Sequence, residues 1–160
     1  MNMELNFDEL LNEPNLKSFA RKFLWEMANQ LEAVQGAFYI TRLNENNIPV
    51  IRFIEGYAYH IPETEKLEFE FGDGIAGQVA KDGKSIYLEN VPPGYLTVMS
   101  GLGSSSPNYL FTFPINHNNQ VLAVVELASF KPISQGIEAF LSTHQHNIIE
   151  SLQKLINTHE

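Results

Sequence analysis

Three glycines in FGDGIAGQVAKDG, Gly72, Gly74 and Gly77, have the G-x-G-x-x-G spacing that lets a backbone approach a dinucleotide pyrophosphate. Their surroundings argue for another use. In a dinucleotide fold the preceding strand is buried on both faces and reads as an unbroken apolar run, whereas LEFEF (67–71) alternates apolar and acidic residues. The helix that follows stops at Asp82-Gly83, and the unit from residue 67 to residue 91 falls short of the roughly 30 residues expected. Asp73 is the expected N-cap, its carboxylate occupying the amide donors an anion would need. The glycines therefore read as a tight strand-to-helix turn, with phosphate binding as the alternative.

Other residue types narrow the chemistry further. The chain has no cysteine, which removes disulfides, thiolate catalysis, thiolate metal sites and cysteine-linked chromophores together. His144 and His146 lie about 200° apart on a helix and cannot share one ion, while His146 and Glu150, at i and i+4, make two ligands without a third. No metal site is expected. SGLGSSSP carries its glycines and serines in the wrong order for a G-x-S-x-G elbow, and neither a triad nor a carboxylate pair emerges, so no catalytic residues are assigned and no enzyme is expected.

Binding chemistry is better represented. Glu126 is the one charge in VLAVVELASF, and a buried carboxylate must reach solvent, meet a partner or face a polar pocket. Alternation places it on the face of Leu122, Val124 and Ala128, either lining a pocket or in a structural hydrogen bond. Tyr95, Met99, Ser100, Ser104, Asn108 and Tyr109 belong to a Gly/Pro/Ser-rich stretch suited to closing over a small organic ligand, or else to a mobile surface loop. Tyr57, with Tyr59 and His60 beside it, could line the same cavity or be a sheet-edge aromatic.

The elements that must position these residues follow from periodicity. Residues 12–36 read as a helix with Asn12 or Glu13 near the N-cap, Pro14 in the first turn and Gly36 as the stop. AFYITRL (37–43) and PVIRFIEGYAY (49–59) form a hairpin, LEFEF and SIYLENV (85–91) are strands around a short helix (74–82), and 92–108 is a long loop without strand periodicity. YLFTFPI and VLAVVELASF make a second hairpin, with a bulge or an edge at Pro114, and Ser134 caps a long C-terminal helix. Helices at both ends of antiparallel hairpins make an α+β fold.

The chain of 160 residues, 44% hydrophobic, fits a single domain over 14–160 behind an acidic lead-in of residues 1–13. Its net charge of −9, without a conspicuous basic cluster, disfavours nucleic acid. No stretch approaches the length of a membrane span and the N-terminus lacks an apolar signal core, so a soluble, cytoplasmic location away from membranes is expected.

Three stretches in order, GDGIAGQVAKDGKSIYLENVPPGYL, SGLGSSSPNYLFTFPI and VLAVVELASFKPIS with its following helix, resemble the GAF domains of bacterial signalling proteins, particularly those attached to sensor histidine kinases. EAVQGAFYITRLNE fits as the end of the first helix and the first strand, and the resemblance covers about residues 15–158. It implies a PAS-related antiparallel sheet of about six strands, terminal helices on one face and a loop-covered small-molecule pocket on the other. The N-K-F-D-E signature of cyclic-nucleotide-binding members is not found, and the cysteines of chromophore-binding and methionine sulfoxide-reducing members are missing. The ligand, and any cofactor, is left unknown.

Phe19, Phe23 and Met27 on the first helix, with Ile148, Leu152 and Leu155 on the last, exceed what one sheet face requires if both helices extend past it. The surplus is expected to pair in a homodimer, relaying occupancy to a histidine kinase or other output domain; the alternatives are intramolecular cover and a ligand-free dimerisation or interaction module.

Overall fold

The computed structural model describes residues 13–59, 68–91, 98–100, 103–105, 107–133 and 136–158. The first helix, α1 (Leu16–Leu31), opens at Asn15, whose side-chain oxygen accepts from the Ser18 amide at 2.8 Å. Pro14 precedes the cap rather than entering the first turn, and Asn12 lies outside the described residues. The helix ends where Glu32 turns left-handed at φ 56°, not at Gly36. Gly36 is drawn into the sheet instead, opposite Leu127, where an added Cβ would come within 3.1 Å of that leucine's side chain.

Strands β1 (Gln35–Leu43) and β2 (Pro49–Tyr57) form the first hairpin, its turn held by Asn44 Oδ1, which accepts from the amides of Asn46 and Ile48. After β3 (Glu68–Glu70) come helix α2 (Gly74–Asp82) and β4 (Ile86–Glu89). Two short strands, β5 (Val98–Ser100) and β6 (Gly103–Ser105), pair with each other, so the stretch expected to be loop throughout contains a small ribbon. Three residues per strand are too few for alternation to register. β7 (Tyr109–His117) and β8 (Gln120–Ser129) make the second hairpin, and α3 (Gly136–Thr158) closes the fold; Ser134 lies outside the described residues.

Six strands pair antiparallel in the order β3-β2-β1-β8-β7-β4. Every second residue of the central strands, including Phe38, Ile40, Phe111, Phe113, Val125 and Leu127, joins α1 and α3 in the main core. The opposite face carries Ala37, Tyr39, Ile51 and Val124 against Ala76, Val79 and Ala80 of α2. Burying both faces of the sheet is what lets its middle strands read as almost wholly apolar.

Pro114 sits where the sequence suggests. β4 pairs with β7 only as far as Thr112, leaving Pro114 beyond that partner strand, and a bulge follows between Ile115 and Asn116. Opposite the bulge, Leu122 is the extra residue: Ile115 faces Ala123 while Asn116 faces Val121. Its side chain consequently packs with the helix-side core, correcting the expectation that it shares a face with Glu126.

Candidate functional site

The glycine loop is structural. Gly72 and Gly74 adopt positive φ, and a Cβ on Gly77 would lie 2.6 Å from the Glu70 carbonyl oxygen. The turn is closed by the Gly72 amide donating to the Gly77 carbonyl at 2.7 Å and the Asp73 amide to that of Glu70 at 3.0 Å. Asp73 is the N-cap residue, but its carboxylate makes no capping bond, contrary to expectation. Backbone pairing across the turn, rather than a side-chain cap, is what closes it.

The sheet face away from the terminal helices holds a cavity of about 30 Å³ with Glu126 in its wall. Space arises there because Ala37 stands opposite Glu126 on β1 and Ala128 follows on β8, so the carboxylate has short neighbours. Glu126 is 8% exposed, and the Thr112 hydroxyl on β7 donates to its Oε2 at 3.3 Å. Burial makes such a donor matter, since a carboxylate removed from water must recover its lost hydration from polar neighbours.

Tyr39, Tyr59 and Leu110 complete the walls. The Tyr39 ring meets Phe53 and Phe69 edge-on, at 5.9 and 6.0 Å between centroids, and Tyr59 leans on Phe53 at 6.1 Å, so the two tyrosines belong to one aromatic cluster. Gln35, also in the wall, donates through Nε2 to the Ala58 carbonyl at 3.4 Å and ties β1 to the end of the first hairpin. A carboxylate, an amide and two phenol rings can bind a small polar group.

Of the candidate residues named from the sequence, Glu126 and Tyr59 are placed in this cavity. Tyr57 is not there: a bulge between Phe38 and Tyr39 makes Ile54 the extra residue of β2 and turns Tyr57 onto the helix side. Tyr109 shares the parity of Phe111 and stacks on Tyr87 at 6.5 Å, at the rim of the helix-side core. Asn108 is exposed and contributes its carbonyl to the Val91 amide at 2.9 Å. Met99 pairs with Ser104 and Ser100 with Gly103 in the β5–β6 ribbon, their side chains lying outside the description, as do Tyr95 and His60 altogether.

Ala37 and Tyr39 carry no mark in the sequence, because AFYITRL begins with an apolar run in which alternation cannot separate the faces. Ala128, two residues beyond Glu126 and on its face, is the one local sign of space beside the carboxylate.

The six helix residues expected at a subunit interface are consumed within the chain. Phe19, Phe23, Met27, Ile148, Leu152 and Leu155 all belong to the core between the terminal helices and the sheet, and Phe19, Phe23 and Leu152 are wholly buried. Phe19 and Phe23 stack on each other and meet Phe38 of β1 edge-on. The stripes are therefore no surplus, because the sheet face beneath them supplies aromatic partners.

Larger spaces have different chemistry. A crevice of about 200 Å³ opens between α3 and the end of β7, and a groove of about 1150 Å³ runs past the hairpin turns. Their charged lining, Glu138 in the first and Lys81 and Asp82 in the second, is exposed, where water screens it. His146 and Glu150 form an exposed pair at 3.7 Å. No group of three or more potential metal ligands occurs among the described residues, and none of their helices is long and apolar enough to cross a membrane.

No curated protein matches the sequence. Solved structures similar to it include the GAF domain of an Acinetobacter phosphoenolpyruvate-protein phosphotransferase, 15% identical with a TM-score of 0.72 over 96% of this chain and 92% of the other. The GAF domain of the corresponding Coxiella burnetii protein is 17% identical with a TM-score of 0.72, over 94% and 90%. A free methionine-R-sulfoxide reductase from Neisseria meningitidis, in complex with its substrate, is 11% identical with a TM-score of 0.70, over 95% and 86%. At such identities the likeness is one of fold. The sequence itself matches the family model described as GAF domain over residues 13–151, a span that takes in α1, every strand of the sheet and much of α3. The chain belongs to the GAF domain family.

Proposed function

We propose that this protein is a sensory domain that binds a small molecule beside Glu126 and relays its occupancy through the terminal helices. The observation that carries the reading is a buried carboxylate in a cavity on the sheet face opposite those helices. The wall of that cavity is tied to the helical side by short bonds: the Ala128 carbonyl accepts from the Val34 amide at 2.8 Å, and the adjacent Ser129 hydroxyl donates to the Glu32 carbonyl at 3.0 Å. A ligand that shifts β8 thus pulls on the end of α1. It can do so only by binding two conformations unequally, by about 1 to 3 kcal/mol for typical coupling.

The methionine sulfoxide reductase with its substrate supports a small-molecule pocket in this fold. Thiol chemistry is closed to a chain without cysteine, and binding without turnover is the activity we infer. A homodimer joined to a histidine kinase or another output domain, in the cytoplasm, completes the reading. A second reading, a ligand-free interaction module, is favoured by the small volume of the cavity.

Native mass spectrometry of gently purified protein separates the two. An added mass that stays with the folded chain and leaves on denaturation supports the sensor; a bare mass turns the balance to the interaction module.

A further inference from the structure

We propose that the cavity beside Glu126 selects a ligand through a positively charged nitrogen head group, an alkylammonium or amidinium, and rejects carboxylate and phosphate groups. The inference rests on the reading of this cavity as a ligand site, and two independent features of its wall point the same way.

The first is the carboxylate. Glu126 lies on a central strand, flanked by Ala37 of β1 and Thr112 of β7, in a place water reaches poorly. An anion brought within about 4–6 Å of it meets like-charge repulsion that burial strengthens. An N–H donor instead gains a charge-assisted hydrogen bond, roughly twice as strong as a neutral one. The Thr112 hydroxyl donates to Oε2, and a carboxylate can accept from several donors at once.

The second is the aromatic wall. Tyr39 and Tyr59 line the cavity and belong to the cluster with Phe53 and Phe69. Ring faces attract cations, which distinguishes an ammonium from a neutral amide or alcohol that could also donate to Glu126. Volume sets the part of the ligand concerned: about 30 Å³ accommodates one small polar group, so the cavity reads the head and not the body of the molecule. The net charge of −9 steers cations toward the surface and anions away.

The test is amide-resolved NMR titration of the intact chain with butylammonium and benzamidinium, set against butyrate, benzoate and benzyl alcohol. The two cations are expected to give saturable shifts at Ala37, Tyr39, Leu110, Glu126 and Ala128, with the carboxylates leaving those amides unmoved. Glu126→Gln should weaken the cations by about tenfold or more. Tyr59→Leu, at a half-buried position, should weaken them by about threefold to tenfold and spare benzyl alcohol, and it serves as the probe should Glu126→Gln fail to fold.

Binding of butyrate or benzoate at these amides as tightly as the cations, or cation shifts that survive both substitutions, would overturn the proposal while leaving a small-molecule pocket in place. Failure of every probe to shift these amides overturns it too. If the gently purified protein then also carries no added mass, the ligand-site reading falls with it.

Discussion

The hydroxyl of Thr112 reaches across the β7–β8 pair to donate to the Glu126 carboxylate at 3.3 Å, both residues being buried on the face turned from the terminal helices. Removing one partner of a buried bond leaves the other unsatisfied, and hydrogen bonds to charged groups carry about 1.5–3 kcal/mol. Thr112→Val should therefore destabilise the protein by about 1–2 kcal/mol in urea unfolding, this bond being long, and by less in a Glu126→Gln background. Equal losses in the two backgrounds would mean that Thr112 serves packing alone.

Gly77 is fixed by contact rather than by ligand. Its missing Cβ would stand 2.6 Å from the Glu70 carbonyl oxygen, a backbone atom that cannot turn aside. Gly77→Ala should cost about 2 kcal/mol as the turn between β3 and α2 is forced apart. Dinucleotides and nucleoside triphosphates should leave the melting temperature of the wild-type protein unchanged. A melting temperature that rises with millimolar NAD or ATP would restore the phosphate-binding reading of the loop.

How far the sequence reveals this arrangement depends on which signal carries each part. Periods of two and of three to four residues mark the helices and long strands, and the lone charge in VLAVVELASF marks Glu126. The faces are another matter. One extra residue inverts the parity of a strand, and the bulges at Ile54 and Leu122 are set by pairing with other strands, which local pattern does not encode. Tyr57 and Leu122 are misplaced for that reason, and Tyr59 returns to the cavity past Ala58 at positive φ. Likewise an apolar stripe says that a helix is covered, not whether its own sheet or a second subunit covers it.

That last ambiguity makes Leu152 informative. It is wholly buried in the core of the single chain, so Leu152→Ala should cost about 2–5 kcal/mol and leave the oligomeric state as it was. Leu152→Asp, which an interface role would turn into a folded monomer, should instead abolish cooperative unfolding by burying an unpaired charge. A folded, monomeric Leu152→Asp protein in sedimentation would put the C-terminal helix back at a subunit contact.

A homodimer, if the proposed relay uses one, needs apolar surface that the chain does not already bury, and α1 presents it. Lys17, Arg21, Trp25 and Asn29 recur every fourth residue along the outward line of this helix, and Trp25 is 54% exposed. Arg21 is held by Glu55 of β2 at 3.1 Å, which leaves the indole between a fixed cation and Asn29, whose side-chain amide donates to the Trp25 carbonyl at 2.7 Å. Tryptophan is enriched among residues that dominate association, whereas an exposed one contributes little to its own fold. Trp25→Glu should therefore shift sedimentation from dimer to monomer while changing unfolding stability by no more than about 0.5 kcal/mol. A variant that sediments as the wild type does would take α1 out of the interface, and a wild-type chain monomeric at micromolar concentration would leave the relay to act within one subunit.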